Sequence, residues 1–213
     1  MRLYFDRGTL ILTAKRSPQI DGCVGVRWDP RVDAYRAPAF LYRSLSTEFR
    51  RRGVVLDDHV IRDHSAYGDW EPVELRPYQQ TALMTWAREE RGLVVLPTGS
   101  GKTRLACAVM AACRVPTLCL VPTCALLHQW STEIARHYRG PIGCLGDGRQ
   151  VLESITVATF ESAYRGMQRV GHRFQLLVVD EVHHFGSGIR DEALEMCAAP
   201  RRLALTATAP EGR

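Results

Sequence analysis

The string Pro97-Thr98-Gly99-Ser100-Gly101-Lys102-Thr103 gathers glycines, a lysine and a hydroxyl within one short stretch. It follows the apolar run Leu93-Val94-Val95-Leu96 and precedes a segment of helical period. Strand, glycine-rich loop and helix are the order a phosphate site needs. Gly99 and Gly101 let successive backbone N–H groups turn toward a β-phosphate, and the following helix adds the positive end of its dipole. Lys102 would neutralise β- and γ-oxygens, and the Thr103 hydroxyl would ligate Mg²⁺. The full P-loop pattern begins with a glycine where this chain has Leu96.

A phosphate loop needs an acid for its metal. Leu176-Leu177-Val178-Val179-Asp180-Glu181 puts a carboxylate pair at the end of an apolar strand, a Walker B pattern. Asp180 would hold Mg²⁺ through water, and Glu181 would orient or deprotonate a water for in-line attack on the γ-phosphate. An acid directly after the metal acid points to water, rather than a substrate hydroxyl, as nucleophile. The next residues complete the string Asp180-Glu181-Val182-His183, or D-E-x-H.

These residues need a scaffold, and the chain from Arg76 onward supplies one. Short apolar runs at residues 93–96, 117–121, 154–158, 176–179 and 203–205 alternate with helical-period segments at 75–88, 103–113, 125–138, 161–170 and 191–199. Such alternation predicts a three-layer α/β fold with a parallel sheet. Residues 1 to about 60 differ. Runs at 3–5 and 9–14 flank a hairpin-like Asp6-Arg7-Gly8, further strand signals lie at 24–28 and around Tyr35, and 40–52 has helical spacing ending at Gly53. The expected organisation is a small β-rich α+β module over 1–62, a linker over 63–74, and the P-loop domain over 75–213. Arg50-Arg51-Arg52 is either a DNA contact or a solvated helix end.

Composition bounds the function class. Hydrophobic residues are 46% and charged residues 24% of the 213, which argues against disorder and against a membrane protein. With no uninterrupted apolar leader, a cytoplasmic location is expected. The seven cysteines form no C-x-x-C pair, so they read as small hydrophobes rather than metal ligands. Of the +5 net charge, most lies beyond residue 75, which is compatible with attraction to phosphates. Only Lys15 and Lys102 among the 28 basic residues are lysines, and one of them stands in GSGKT.

The ordered motifs resemble the XPB-type DNA helicases of superfamily 2. Six matches carry the resemblance: Leu75-Arg76-Pro77-Tyr78-Gln79, residues 96–103, Val121-Pro122-Thr123 with Leu127 and Gln129-Trp130, Val157-Ala158-Thr159-Phe160, residues 180–183, and Thr206-Ala207-Thr208. The stretch Asp29-Pro30-Arg31 followed by Tyr35-Arg36-Ala37-Pro38-Ala39-Phe40 is similar to the family's damage-recognition domain.

The resemblance implies a RecA-like ATP-binding lobe using ATP and Mg²⁺, with Arg76 and Gln79 at the adenine. It implies Thr123, Gln129 and Thr159 along a DNA strand, touching backbone, and His183, Thr206 and Thr208 coupling the nucleotide state to DNA grip. It also implies 3′ to 5′ movement, a second RecA-like lobe in cis or in trans, and a nuclease as a candidate partner. The family's R-E-D element after the last motif is replaced here by Ala209-Pro210-Glu211-Gly212-Arg213. The expectation is therefore a front end whose second lobe lies elsewhere, of very low activity by itself. Two other readings remain open, the ATPase subunit of a restriction system and a docking module indifferent to ATP.

Overall fold

The computed structural model describes residues 1–61, 68–185 and 191–208. Two sheets organise it. In the first, β1 (Arg2–Asp6) and β2 (Thr9–Thr13) form an antiparallel hairpin. Its turn places Arg7 and Gly8 in the left-handed region. β3 (Arg27–Asp29), β4 (Ala34–Pro38) and β5 (Asp57–His59) complete the order β3-β4-β2-β1-β5. A short helix, α1 (Pro18–Asp21), is capped by Ser17. Helix α2 (Tyr42–Arg51) follows a 3-10 turn at Ala39–Leu41 and buries Leu45 and Phe49 in this module's core.

The Asp29 to Phe40 motif acts here through packing and charge. Tyr35 is wholly buried, meets Trp28 edge to face at 5.0 Å, and donates its hydroxyl to the Ser17 carbonyl at 3.2 Å. Asp29 accepts from both Arg31 and Arg36, and these guanidiniums hold its carboxyl far below the usual range, Arg31 contributing most. Of the arginine triplet, Arg51 and Arg52 both reach Glu48. Those two charges therefore have a partner inside the module.

The second sheet has the order β6-β12-β11-β7-β10-β8-β9. Its strands are β6 (Arg91–Val95), β7 (Thr117–Val121), β8 (Ile142–Gly146), β9 (Arg149–Val151), β10 (Ile155–Thr159), β11 (Leu176–Val179) and β12 (Arg201–Thr206). All pairings are parallel except β8 with β9. Helices α3 (Pro77–Glu89), α4 (Lys102–Cys113) and α5 (Cys124–His137) cover one face. Helices α6 (Phe160–Val170) and α7 (Asp191–Glu195) cover the other.

Alternation explains how one strand serves both faces. On β7, Cys119 and Val121 join the core under α4 and α5, while Leu118 and Leu120 join the core under α6. On β11, Leu176 and Val178 face the first core, Leu177 and Val179 the second. Each such buried Leu or Val contributes roughly 1.5–3 kcal/mol relative to exposure. The apolar runs read from sequence are thus central strands with two buried faces.

Several boundaries differ from the sequence expectation. β8 and β9 fall in a glycine-rich stretch with little β-branched content; Gly143 is there because a Cβ would lie 2.5 Å from the Thr156 hydroxyl. The strand expected at 24–28 is shortened to Arg27–Asp29, since Gly25 adopts φ +75° and Val24 faces solvent. α7 stops at Glu195 rather than 199, where the Arg202 guanidinium binds the carbonyls of Leu194 and Cys197. Residue 62 and part of the expected linker, residues 63–67, lie outside the described residues; farther along, Trp70 packs on Tyr138 at the end of α5, ring centroids 4.8 Å apart.

The two sheets meet through specific contacts. Arg43 of α2 lies 3.5 Å from Glu90 and donates to the Pro200 carbonyl. Phe5 lies 4.7 Å from His172, and Ala198 enters the core of the first module. No helix among the described residues is long and apolar enough to cross a membrane.

Candidate nucleotide site

The parallel sheet sends its loops to one edge. The glycine-rich loop follows β6, Thr123 follows β7, Thr159 ends β10, Asp180 and Glu181 follow β11, and Thr206 ends β12. Carboxyl ends of strands, where the order reverses, are where open α/β sheets bind ligands. A cleft of about 500 Å³ lies there, lined by Arg76, Gln79, residues 98–104, Gln129, Asp180 and Glu181.

The loop is shaped from within. Gly99 and Gly101 take φ +78° and +80°, and the Ser100 amide and hydroxyl both donate to the Pro97 carbonyl. Gln79 is buried beneath the loop: its amide nitrogen donates to the carbonyls of Ser100 at 2.9 Å and Gly101 at 3.2 Å. Its oxygen accepts from the Arg76 amide at 2.8 Å, satisfying the backbone N–H just before α3. The structure thus makes Gln79 a brace of the phosphate loop, with Arg76 at the rim of the same cleft.

Lys102 and Glu181 converge. The ammonium is buried, donates to the Leu96 carbonyl at 3.4 Å and stands 3.6 Å from Glu181 Oε1. Asp180 accepts from the buried indole N–H of Trp130 at 2.9 Å and from the Glu181 amide at 3.0 Å. Burial nevertheless pushes its carboxyl above the usual carboxylate range, outweighing those donors. Glu181 occupies a left-handed backbone at φ +49°, and its buried Oε2 accepts no hydrogen bond among the described residues, although the His183 ring lies 3.4 Å away. A buried lysine, a dehydrated acid and an unsatisfied carboxylate oxygen suit a magnesium-bound polyphosphate and an attacking water.

The remaining expected residues occupy three places. His183 Nδ1 lies 3.2 Å from Thr206 Oγ1 and 3.4 Å from Glu181 Oε2, and Thr206 Oγ1 exchanges hydrogen bonds with the Thr208 backbone. Thr123 caps α5 by accepting from the Leu126 amide, in a shallower groove shared with Thr98 and His183. Thr159, mostly buried, caps α6 and donates to the Ser162 hydroxyl. Gln129 lies in the nucleotide cleft, apart from the groove that holds Thr123.

The sequence motifs include Trp130 without assigning it a role, and they do not single out Glu133 or Arg136. All three lie on α5, with Glu133 and Arg136 lining the cleft and joined at 2.7 Å. Their helical spacing from Gln129 was the available signal.

Comparison with known proteins decides the family. A model described as the type III restriction enzyme, res subunit, matches residues 72–211. A second, described as the xeroderma pigmentosum group B helicase damage recognition domain, matches residues 3–60. The chain belongs to the XPB-type superfamily 2 helicases. The second match, on the N-terminal module, favours this family over the restriction-system reading.

Among relatives of this XPB-type chain, a DNA 3′-5′ translocase XPB2 of Sulfurisphaera tokodaii is 38% identical over 86% of this chain and 42% of its own length. A DNA 3′-5′ helicase XPB of Mycobacterium tuberculosis is 30% identical over 63% of this chain and 26% of its own. The chain spans less than half the length of these relatives. Among solved structures, the UvsW helicase from bacteriophage T4 aligns with a TM-score of 0.56 at 15% identity, covering 97% of this chain and 92% of that one. A Sulfolobus solfataricus SWI2/SNF2 ATPase core in complex with dsDNA aligns at 0.57 and 19% identity, covering 70% and 35%. Both likenesses concern the fold. Membership of the family implies use of a nucleotide and a metal.

Proposed function

We propose that this chain is the ATP-binding lobe of a DNA translocase, in which hydrolysis of ATP drives movement along a strand with 3′ to 5′ polarity. The observation that carries the reading is the meeting of Lys102, Asp180 and Glu181 in one cleft under a glycine-rich loop. ATP would lie with its phosphates on residues 97–103 and its adenine toward Arg76 and Gln79. Thr103 and Asp180 would hold Mg²⁺, which when bound neutralises the β- and γ-oxygens. Lys102 shares that charge, and Glu181 holds the water in line and takes its proton.

Coupling runs along a short contact chain. Glu181 faces His183, His183 faces Thr206, and Thr206 grips the Thr208 backbone. Loss of the γ-phosphate would alter Glu181 and, through these contacts, the segment at the sheet edge near Thr123 and Thr159. Thr123 and Thr159 would face DNA through its backbone, giving sequence-independent binding, while Gln129 would reach that strand only from the adjoining nucleotide cleft. The working organisation is a damage-recognition-like module over 1–62, a linker over 63–74 and the motor lobe over 75–213. A second RecA-like lobe, in cis or in trans, would complete the ATP site with arginine, and a nuclease is a fitting partner in the cytoplasm.

Release of phosphate from ATP by the full chain, with and without single-stranded DNA, tests the reading. Slow, magnesium-dependent turnover that DNA accelerates and Glu181→Gln abolishes is expected. Turnover indifferent to DNA and to Glu181→Gln would contradict it.

A further inference from the structure

A second cleft, of about 730 Å³, lies between the N-terminal module and the parallel sheet. Pro116 and Ser154, immediately before β7 and β10, and Phe174, two residues before β11, help line it, so it opens at the sheet edge opposite the nucleotide cleft. Its volume falls within the range of roughly 300–1,000 Å³ common to ligand sites.

The chemistry of its walls is specific. Arg169 and Arg173 are exposed in the cleft, and among the described residues neither has an acidic partner within ion-pair distance. Arg165, one turn before Arg169, contrasts with them because Glu161 engages it at 2.9 Å. Phe5 from β1 and His172 form a ring pair across the junction, 4.7 Å apart. His59, itself held by Asp57, and Glu153 complete the polar rim.

Two uncompensated guanidiniums suit a phosphate ester, which each can grip through two N–H groups. The adjoining aromatic and imidazole rings suit the flat face of a base. The Glu153 carboxylate disfavours a second phosphate group nearby and can accept from a hydroxyl or amino group. We propose that this interdomain cleft binds a nucleotide unit carrying a single phosphate, as part of a nucleic-acid strand, independently of the ATP site. The site joins both modules, so a strand seated there would bridge the N-terminal module and the motor lobe. The inference does not rest on hydrolysis at Lys102.

The test is fluorescence anisotropy on the full chain with a short fluorescein-labelled oligothymidylate, and in parallel competition by thymidine monophosphate. The Arg169→Ala/Arg173→Ala double variant is compared with the unchanged chain and with Lys102→Ala. Both arginines are exposed, so the double variant should keep its melting temperature. Expected is at least a ten-fold loss of oligonucleotide affinity in the double variant. The salt slope should flatten by about 0.7, the value for one phosphate contact on a single strand. Lys102→Ala should bind the oligonucleotide unchanged. Loss of monophosphate competition with oligonucleotide affinity intact would keep the phosphate site but assign it to a free nucleotide, overturning the strand. Equal affinity for both probes in the double variant and the unchanged chain would overturn the site altogether. So would binding of an acidic peptide there in place of either probe.

Discussion

Trp130 donates its indole N–H to the Asp180 carboxylate at 2.9 Å, from a position wholly buried between α5 and the end of β11. The aromatic residue therefore does two things. It fills the core beneath α5, and it fixes the orientation of the acid assigned to the metal. Replacement by phenylalanine should leave Asp180 short of one donor, at a cost of about 1.5–3 kcal/mol for a hydrogen bond to a charged group. Urea unfolding should register that loss. A magnesium titration of nucleotide binding should shift to several-fold higher metal, whereas an unchanged midpoint would deny Trp130 its positioning role.

Gly101 and Gly99 share a left-handed backbone but not the same surroundings. A Cβ on Gly101 would stand 2.6 Å from the Gln79 amide nitrogen, while one on Gly99 meets nothing within 4 Å. Both alanine variants carry backbone strain of about 1–2 kcal/mol. Gly101→Ala should in addition push Gln79 from under the loop and lower ATP-analogue affinity far more than Gly99→Ala. Equal losses in a fluorescent-nucleotide titration would remove Gln79 from its bracing role.

Asp180 also sets a pH dependence. Burial raises its folded-state value above that of an unfolded carboxylate, so the native chain holds this proton more tightly. The associated stability is fully present below the unfolded value and is lost as pH rises through the folded one. Bound magnesium nucleotide favours the ionised form and acts in the opposite sense. Thermal stabilisation by a magnesium–nucleotide analogue should therefore grow as pH rises through the acidic range, and Asp180→Asn should abolish that growth. A stabilisation independent of pH would contradict the assignment.

His183 and Thr206 connect the two strands that flank the cleft's far side. If this contact carries coupling, Thr206→Val should leave nucleotide affinity within about two-fold, since no phosphate contact is removed, yet reduce the acceleration of turnover by DNA. Parallel loss of binding and of DNA stimulation would mark Thr206 as structural only.

Much of the parallel-sheet domain was legible in the sequence because its central strands are buried on both faces. The spans of β7 and β11 coincide with their apolar runs, and Lys102, Asp180 and Glu181 converge as their motifs imply. What escaped were features made by close approach rather than by pattern. β8 and β9 rest on Gly143 fitting against Thr156, and β5 joins β1 through only three residues, all exposed. Trp130 and Gln79 were visible as motif letters. Their partners, a carboxylate fifty positions away and the loop's own carbonyls, exist only once the sheet brings its edges together.

Calorimetric titration of a non-hydrolysable ATP analogue with magnesium into the full chain bears most directly on the account. Saturable one-site binding should disappear on chelation of the metal and weaken at least ten-fold in Lys102→Ala. Equal affinity in Lys102→Ala, or binding indifferent to magnesium, would contradict the claim that Lys102, Asp180 and Glu181 form the nucleotide site.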